Sequence, residues 1–302
     1  MQIFVLGAGA IGSLYGAKLT AGNDVTLIGR ADHVRAINEN GLRMEGLEPQ
    51  TVRVSAATQI ERIGPDALIL LTTKVPETTD ALQPIAPLVR DDTTIVALQN
   101  GLNSDQIARV ALRERGAVLR GIVPGSSKMA RGYTLLEDHP RSSRIAKVFN
   151  AAGLDCRICP DMKTEVWRKL IFNCVVNPIT TIVGSNVGGI VDPALDRLKQ
   201  LIIDECSAVA GAEGVHLEGD LSGEINATYA GSRNIVSMRQ DLLGGRATEI
   251  DYLNGAIVAL GARHRLECPV NEGLTRIIKA MEAASKDNRG GPRLPPRRLQ
   301  TK

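Results

Sequence analysis

Residues 2–6, Gln2-Ile3-Phe4-Val5-Leu6, read as a short buried strand, and Gly7-Ala8-Gly9-Ala10-Ile11-Gly12 follows directly. An apolar-periodic stretch to about Ala21 then reads as a helix. This is Gly-x-Gly-x-x-Gly in the strand–turn–helix setting that gives the spacing its meaning. Gly7 permits the tight turn, Gly9 lets a pyrophosphate approach the backbone, and Gly12 lets the helix pack on its strand. The helix N-terminus, with the N–H groups of the Ala10 and Ile11 turn, faces the phosphates. Outside this context the same glycines would be only a Gly-rich turn. Here they assign Gly7, Gly9, Ala10, Ile11 and Gly12 to a dinucleotide.

The next segments extend the pattern. A second strand, Asp24–Ile28, ends at Gly29-Arg30. A site for NAD carries Asp or Glu near this point to accept from the ribose 2′-hydroxyl. Arg30 instead complements a 2′-phosphate through charge-assisted contacts, which predicts NADP(H). A surface arginine at a strand end is the plainer alternative. Asp32 is expected to cap the helix running to Asn40. Residues 42–46 and 51–55 read as short extended pieces. Residues 67–72 and 94–98 are continuous apolar strands ending at Thr73-Lys74 and Gln99-Asn100-Gly101. The helix over 77–89 contains Pro84 and Pro87 and is expected to be broken. Strand Ala117–Ile122, a helix over 142–152 and strand Asp155–Cys159 complete the pattern. Alternating strands and helices predict an α/β fold, a Rossmann-type doubly wound parallel sheet. Ligands of such sheets lie outside the strand C-termini, where Gly7, Arg30, Lys74 and Asn100 all fall.

After Pro160 the pattern turns to helices only. We therefore expect three segments: residues 1–160 as the cofactor-binding domain, 161–285 as an all-helical substrate domain, and 286–302 as a basic, disordered tail. The first long helix, 162–182, is expected to kink at Pro178. On it Lys169, Asn173 and Asn177 fall at i, i+4 and i+8, one polar stripe opposite Leu170, Ile171, Cys174, Val175 and Val176. A solvated edge with a snorkelling lysine would account for Lys169. It would not account for two Asn, which are poor helix formers and hold donors and acceptors at fixed positions. Asp192 is a plausible cap for the helix opened by Pro193. Thr248-Glu249-Ile250-Asp251 resembles a capping box with Asp in place of Glu.

Charge and cysteine usage exclude several classes. The net charge is +3, but the six basic residues against Asp287 in 286–302 contribute +5, leaving −2 on residues 1–285. The body is not basic, so no nucleic-acid role is expected. No stretch reads as a membrane span or a secretory signal, and a cytoplasmic location is expected. The five cysteines are scattered. Cys156-x-x-Cys159 lacks the second pair or clustered His that a metal site needs, so no metal is expected.

Together these residues resemble the ketopantoate reductase (2-dehydropantoate 2-reductase) family. The resemblance rests on Gly7-x-Gly9-x-x-Gly12, Lys74, Gln99-Asn100-Gly101, Trp167-Arg168-Lys169-Leu170, Asn173-Cys174, Asn177-Pro178, Ser237-Met238-x-Gln240-Asp241 and Thr248-Glu249-Ile250-Asp251-x-x-Asn254-Gly255. It runs in order from residue 1 to about 285. It implies NADPH-dependent reduction of 2-dehydropantoate to (R)-pantoate, on the route to pantothenate and coenzyme A. It implies Lys169 as general acid, with Glu249 and Asn100 in the catalytic set. Substrate-binding positions are Asn100, Lys169, Asn173, Asn177, Ser237 and Glu249. Lys74 and Asn100 stand where cofactor meets substrate, and Arg30 reads the 2′-phosphate. Two segments depart from the family's pattern, the loop 184–189 with Asn186 and the segment 121–131.

The chemistry agrees with those residues. Hydride addition to a 2-oxo carbon leaves an alkoxide that needs a proton, and a lysine with a lowered pKa can give it. Glu249 at a helix start can accept from a substrate hydroxyl, although complementing the helix dipole is the plainer role for its position. The active site is expected in the cleft between the two domains. A related reductase of another branched 2-oxo acid is one competing reading. A non-catalytic nucleotide-binding protein is another, and it has no need of Lys169, Asn173, Asn177 and Glu249 together. A homodimer is left open.

Overall fold

A computed structural model of the chain describes residues 1–44, 49–123 and 133–287. Strand β1 (Gln2–Leu6) leads into helix α1 (Ala10–Leu19), and β2 (Asp24–Ile28) into α2 (Ala31–Asn40). Three short strands follow, β3 (Leu42–Met44), β4 (Gln50–Val52) and β5 (Ser55–Ala57). After β6 (Leu68–Leu71) comes α3 (Thr78–Leu82), flanked by 3-10 turns at Val75–Glu77 and Gln83–Leu88. Pro84 and Pro87 cannot donate to a helical ladder, so the expected break is realised as the second turn. The series continues with β7 (Thr94–Ala97), α4 (Ser104–Ala111), β8 (Ala117–Ile122), β9 (Tyr133–Glu137), α5 (Ser142–Ala151) and β10 (Asp155–Cys159). Among the described residues only helices and 3-10 turns follow: α6 (Met162–Val183), α7 (Asp196–Ala212), α8 (Leu221–Tyr229), α9 (Ser237–Leu243), α10 (Asn254–His264) and α11 (Pro269–Asp287).

Eight strands form one sheet in the order β10-β9-β8-β7-β6-β1-β2-β5, and β3 pairs with β4 separately. Every neighbour in the large sheet is parallel except β8 and β9, which are antiparallel. The sheet is thus a doubly wound one with a single reversed joint, and β9 is a strand beyond those the sequence pattern indicated. Period 2 sends alternate residues to opposite faces. Ile3, Val5, Leu68, Leu70 and Val96 join Tyr15, Leu19, Ile145 and Phe149 in one core. Phe4, Leu6, Ile69, Leu71, Ile95 and Ala97 join Leu82, Ala108 and Leu112 in the other. Both faces are covered, which is why β1, β6 and β7 read as unbroken apolar runs. Tyr15 also shares a 2.6 Å hydrogen bond with Thr134. Burial pushes its phenol up to about 12.

The two edges of the sheet differ from its middle. β5 is three residues long. β10 carries Asp155 and Arg157, which pair at 2.7 Å, and the Arg157 guanidinium lies 4.7 Å from the Tyr133 ring centre.

The chain divides into two compact units, residues 1–170 and residues from 171 onward, and the division falls inside α6. In the second unit α7, α10 and α11 bury Ile202, Cys206, Val209, Ile257 and Ile278. Lys199 is fully buried there. Its ammonium meets Ile190 O at 3.0 Å, Asn226 Oδ1 at 2.7 Å and Asp196 Oδ1 at 2.7 Å, one acceptor for each proton.

Three local expectations need comment. Asp192 accepts from Ala194 N at 2.9 Å, as its cap position suggests. Asp32 does not cap α2. The helix starts at Ala31, so Asp32 lies inside the first turn and pairs with Arg35 instead. Thr248 makes half of the expected capping box: its hydroxyl accepts from Ile250 N at 3.2 Å, but Thr248 N donates to Glu282 rather than to Asp251, which pairs with Lys279 at 2.8 Å. The expected tail falls largely on residues 288–302, and most of segment 121–131 on residues 124–131; both stretches lie outside the described residues.

At the head of α1 the backbone leaves no room for a side chain. A Cβ on Gly12 would overlap Gly7 O and come within 2.6 Å of Thr72 Oγ1. Gly12→Ala is therefore expected to destabilise the fold by overpacking, by about 1–3 kcal/mol, read as a lowered urea-denaturation midpoint.

Candidate functional site

The first turn is built by backbone contact. Gly7 has φ +111°, and a Cβ there would stand 2.6 Å from Thr73 N. Thr72 Oγ1 donates to Gly7 O at 2.8 Å, fastening the turn to the end of β6. By contrast a Cβ on Gly9 would meet nothing within 4 Å. Gly9 is exposed and open, and α1 has no acidic residue in its first turn and no side-chain cap. A diphosphate therefore meets an uncrowded backbone and free N–H groups at Ala10 and Ile11. The turn fits the pyrophosphate of a dinucleotide.

Arg30 follows β2 and stands at the N-cap of α2, exposed, in extended backbone. No side chain caps the first turn of α2, which carries Asp32 beside the Arg30 end. Lys74 follows β6 and Asn100 follows β7, both half-buried. Since β7, β6, β1 and β2 are consecutive in the sheet, Asn100, Lys74, the Gly7–Gly12 turn and Arg30 stand on adjacent strand ends.

Lys169, Asn173 and Asn177 share one face of α6, which continues through Pro178 without a break. Leu170, Ile171, Cys174, Val175 and Val176, which flank and back that face, are all 0–2% exposed. Lys169 and Asn173 are half-buried and Asn177 is buried. The Asn173 Nδ2 is inaccessible and has no hydrogen-bond partner among the described residues. A buried amide donor with no partner is costly, and a ligand acceptor would relieve that cost. Ser237 is exposed as the first residue of α9, and Glu249 is half-buried just before the 3-10 turn Ile250–Tyr252. These two stand on separate segments. Arg239 ties α9 to the loop 184–189 by donating to Ser185 O at 2.8 Å. Asn186 is exposed in that loop.

Two family models match the chain, one described as ketopantoate reductase PanE/ApbA over residues 3–135 and one as its C-terminal part over residues 161–282. The chain belongs to the ketopantoate reductase family. A 2-dehydropantoate 2-reductase of Pyrococcus horikoshii is 37% identical, over 94% of this chain and 98% of that protein. One of Vibrio cholerae is 30% identical, over 93% of this chain and 98% of that protein. The solved PanE/ApbA family ketopantoate reductase of Ralstonia eutropha JMP134 superposes with a TM-score of 0.84 at 32% identity, covering 95% of this chain and 100% of its own. D-mandelate dehydrogenase, solved with NADH and anilino(oxo)acetate, gives 0.85 at 26% identity, covering 95% and 99%.

The structure adds residues to which the sequence pattern gave no role. Gln99 Nε2 donates to Thr73 O at 2.8 Å and lies within reach of Thr73 Oγ1 (3.1 Å) and Thr78 Oγ1 (2.8 Å), joining the ends of β6 and β7. Arg120, from the middle of β8, donates through one nitrogen to Gln99 O at 3.0 Å and Gly101 O at 2.6 Å. These are the carbonyls on either side of Asn100. Burial lowers the Arg120 pKa, opposed by Asp105 and Glu137 nearby. An arginine within the apolar run of β8 was the available signal. Glu282 is a third such residue: it accepts from Thr248 N at 2.7 Å and Thr248 Oγ1 at 2.6 Å, next to Glu249. The Cys156-x-x-Cys159 pair makes no site. Its members lie three apart on β10, pack into different cores and are unbonded, and burial pushes the Cys156 thiol up to about 12. Among the described residues no cluster of three or more His, Cys, Asp or Glu could hold a metal, and no helix is long and apolar enough to cross a membrane.

Arg120→Met would leave the Gln99 and Gly101 carbonyls without their donor and free the turn that carries Asn100. Displacement of a positioned group by an ångström can cost about 10²-fold. We expect kcat/KM to fall by about 10–100-fold, with a smaller change in affinity for the nicotinamide cofactor, measured by steady-state kinetics and fluorescence titration.

Proposed function

We propose that this chain is a cytoplasmic NADPH-dependent 2-dehydropantoate 2-reductase, reducing the 2-oxo group of 2-dehydropantoate to (R)-pantoate on the route to pantothenate and coenzyme A. The observation that carries the reading is the α6 stripe, where Asn173 keeps a buried, unpartnered amide nitrogen on the face that also bears Lys169 and Asn177. Family membership supplies the reaction class. Residues 1–160 are assigned to the cofactor and 161–285 to the substrate.

When bound, the reduced nicotinamide supplies the hydride to the 2-oxo carbon. The chain's own residues do the rest. The Gly7–Gly12 turn holds the pyrophosphate through backbone N–H groups, and Arg30 takes the 2′-phosphate. Lys74 and Asn100 orient the reacting ends. Lys169 places an ammonium at the carbonyl oxygen, stabilises the negative charge that develops there and delivers the proton. Asn173, Asn177 and Ser237 hold the substrate's oxygens without adding charge. Glu249 accepts a hydrogen bond from a substrate hydroxyl.

The likeness to D-mandelate dehydrogenase favours a second reading, a reductase of another 2-oxo acid. Comparing kcat/KM for 2-dehydropantoate with that for the 2-oxo acid corresponding to mandelate separates the two. A clear preference for the latter would replace the first reading.

Lys169→Ala is expected to lower kcat by about 10²–10⁴-fold, the effect of losing a general acid, with little change in NADPH affinity. Turnover near the wild-type rate would return Lys169 to a surface role. Arg30→Ala is expected to weaken NADPH binding and leave NADH binding nearly untouched. A wild type that uses both cofactors equally would remove the NADP assignment.

A further inference from the structure

In an α-helix the N–H of each residue donates to the carbonyl four residues earlier. Pro178 has no N–H, so the Cys174 carbonyl loses its helical donor. The proline ring also presses on that carbonyl and tilts it away from the helix axis. Cys174 and Val175 are fully buried, so solvent offers no replacement. An unpaired carbonyl in such a place is costly.

Asn254 supplies the missing donor. It is the first residue of α10 and fully buried, and its Nδ2 donates to Cys174 O at 3.0 Å. The same nitrogen donates to Asn271 Oδ1 at 2.9 Å. Asn271 is anchored in turn by Glu205, whose carboxylate accepts from Asn271 Nδ2 at 2.7 Å, Asn271 N at 2.9 Å and Val270 N at 2.8 Å. The middle of α6 is therefore tied through α10 to the head of α11 and to α7. The tie grips α6 at the residue directly after Asn173, three before Asn177. Asn254 Oδ1 has no hydrogen-bond partner among the described residues, so only the donor is used.

We propose that Asn254 is a positioning residue for the substrate-binding face of α6. It stands in for the N–H that Pro178 lacks and holds the helical step between Asn173 and Asn177. The proposal rests on the reading above, in which those asparagines hold the substrate. A helix with an unanswered carbonyl at this step would relax there, and the two amides would lose their fixed separation. Asn254 touches neither cofactor nor substrate in this account.

The proline and the asparagine form a pair that can be exchanged for an ordinary helical bond. Four forms are compared: wild type, Asn254→Ala, Pro178→Ala and the double variant. For each we would measure kcat and KM for 2-dehydropantoate, the NADPH dissociation constant and the urea midpoint. Asn254→Ala is expected to raise KM at least tenfold, with NADPH affinity within twofold of wild type. Pro178→Ala keeps near-normal KM, because a carbonyl oxygen has two lone pairs and accepts both donors. In the double variant the restored backbone N–H answers the carbonyl, and KM recovers most of the way to wild type. A double variant as impaired as Asn254→Ala overturns the proposal. So does an Asn254→Ala enzyme whose urea midpoint falls while KM stays unchanged. If Asn254→Ala does not fold, recovery of soluble, active double variant supports the proposal, and failure of both overturns it. A wild type inactive on 2-dehydropantoate sinks the functional reading alone. The tether is then judged by the urea midpoints, where the loss from Asn254→Ala must be smaller in the Pro178→Ala background.

Discussion

Backbone meets backbone where the first turn lies on the end of β6, and this close approach sets the geometry of the whole first unit. With no side chain at Gly7 or Gly12, the turn can sit against Thr72 and Thr73. β1 is thereby seated beside β6, and α1 crosses the sheet at the height its core residues require. The other strand ends are fastened in series from there. Thr72 holds the turn to β6, Gln99 holds β6 to β7, and Arg120 holds β7 to β8. Each fastening is a polar side chain with at least one bond to backbone, so the rim that carries Lys74 and Asn100 is set before any ligand arrives. Groups placed in advance lose little freedom on binding.

The helical unit solves a different problem. It has few aromatic residues to fill its interior and instead buries charged and amide side chains with their partners. Lys199 meets three oxygens, Glu205 answers the head of α11, and Glu282 holds Thr248. Such groups are tolerated inside only when their hydrogen bonds are met. Each also specifies one arrangement of neighbouring helices, which apolar packing alone would leave freer.

Much of this could be read from the residues. The unbroken apolar runs of β1, β6 and β7 announce strands covered on both faces, and the polar stripe of α6 is visible from spacing alone. What escaped depends on partners distant in sequence. Thr248 keeps one bond of a local capping motif, from Ile250 N, but Glu282, 34 residues on, takes the N–H that Asp251 would have answered. Asp32 misses its cap by two helical positions, a margin within the uncertainty of helix ends. β9 is five residues long, and only its pairing with β8 and β10 identifies it. Arg120 was visible as a charge in an apolar strand, yet its role follows from the carbonyls that tertiary folding places against it. The candidate site divides the same way: the ligand-facing residues follow from motif and period, and the residues that hold them in place do not.

The ends of the large sheet carry a last consequence. An open sheet exposes a ladder of unpaired backbone groups at each margin, which invites another chain to extend it. Here one margin is β5, too short to template much pairing, and the other is β10, where the Asp155–Arg157 pair stands on the outermost strand. Both margins resist cross-strand recruitment of a second molecule. Were the sheet to form before the helical unit, its blunted borders would leave another chain's strand little to pair with.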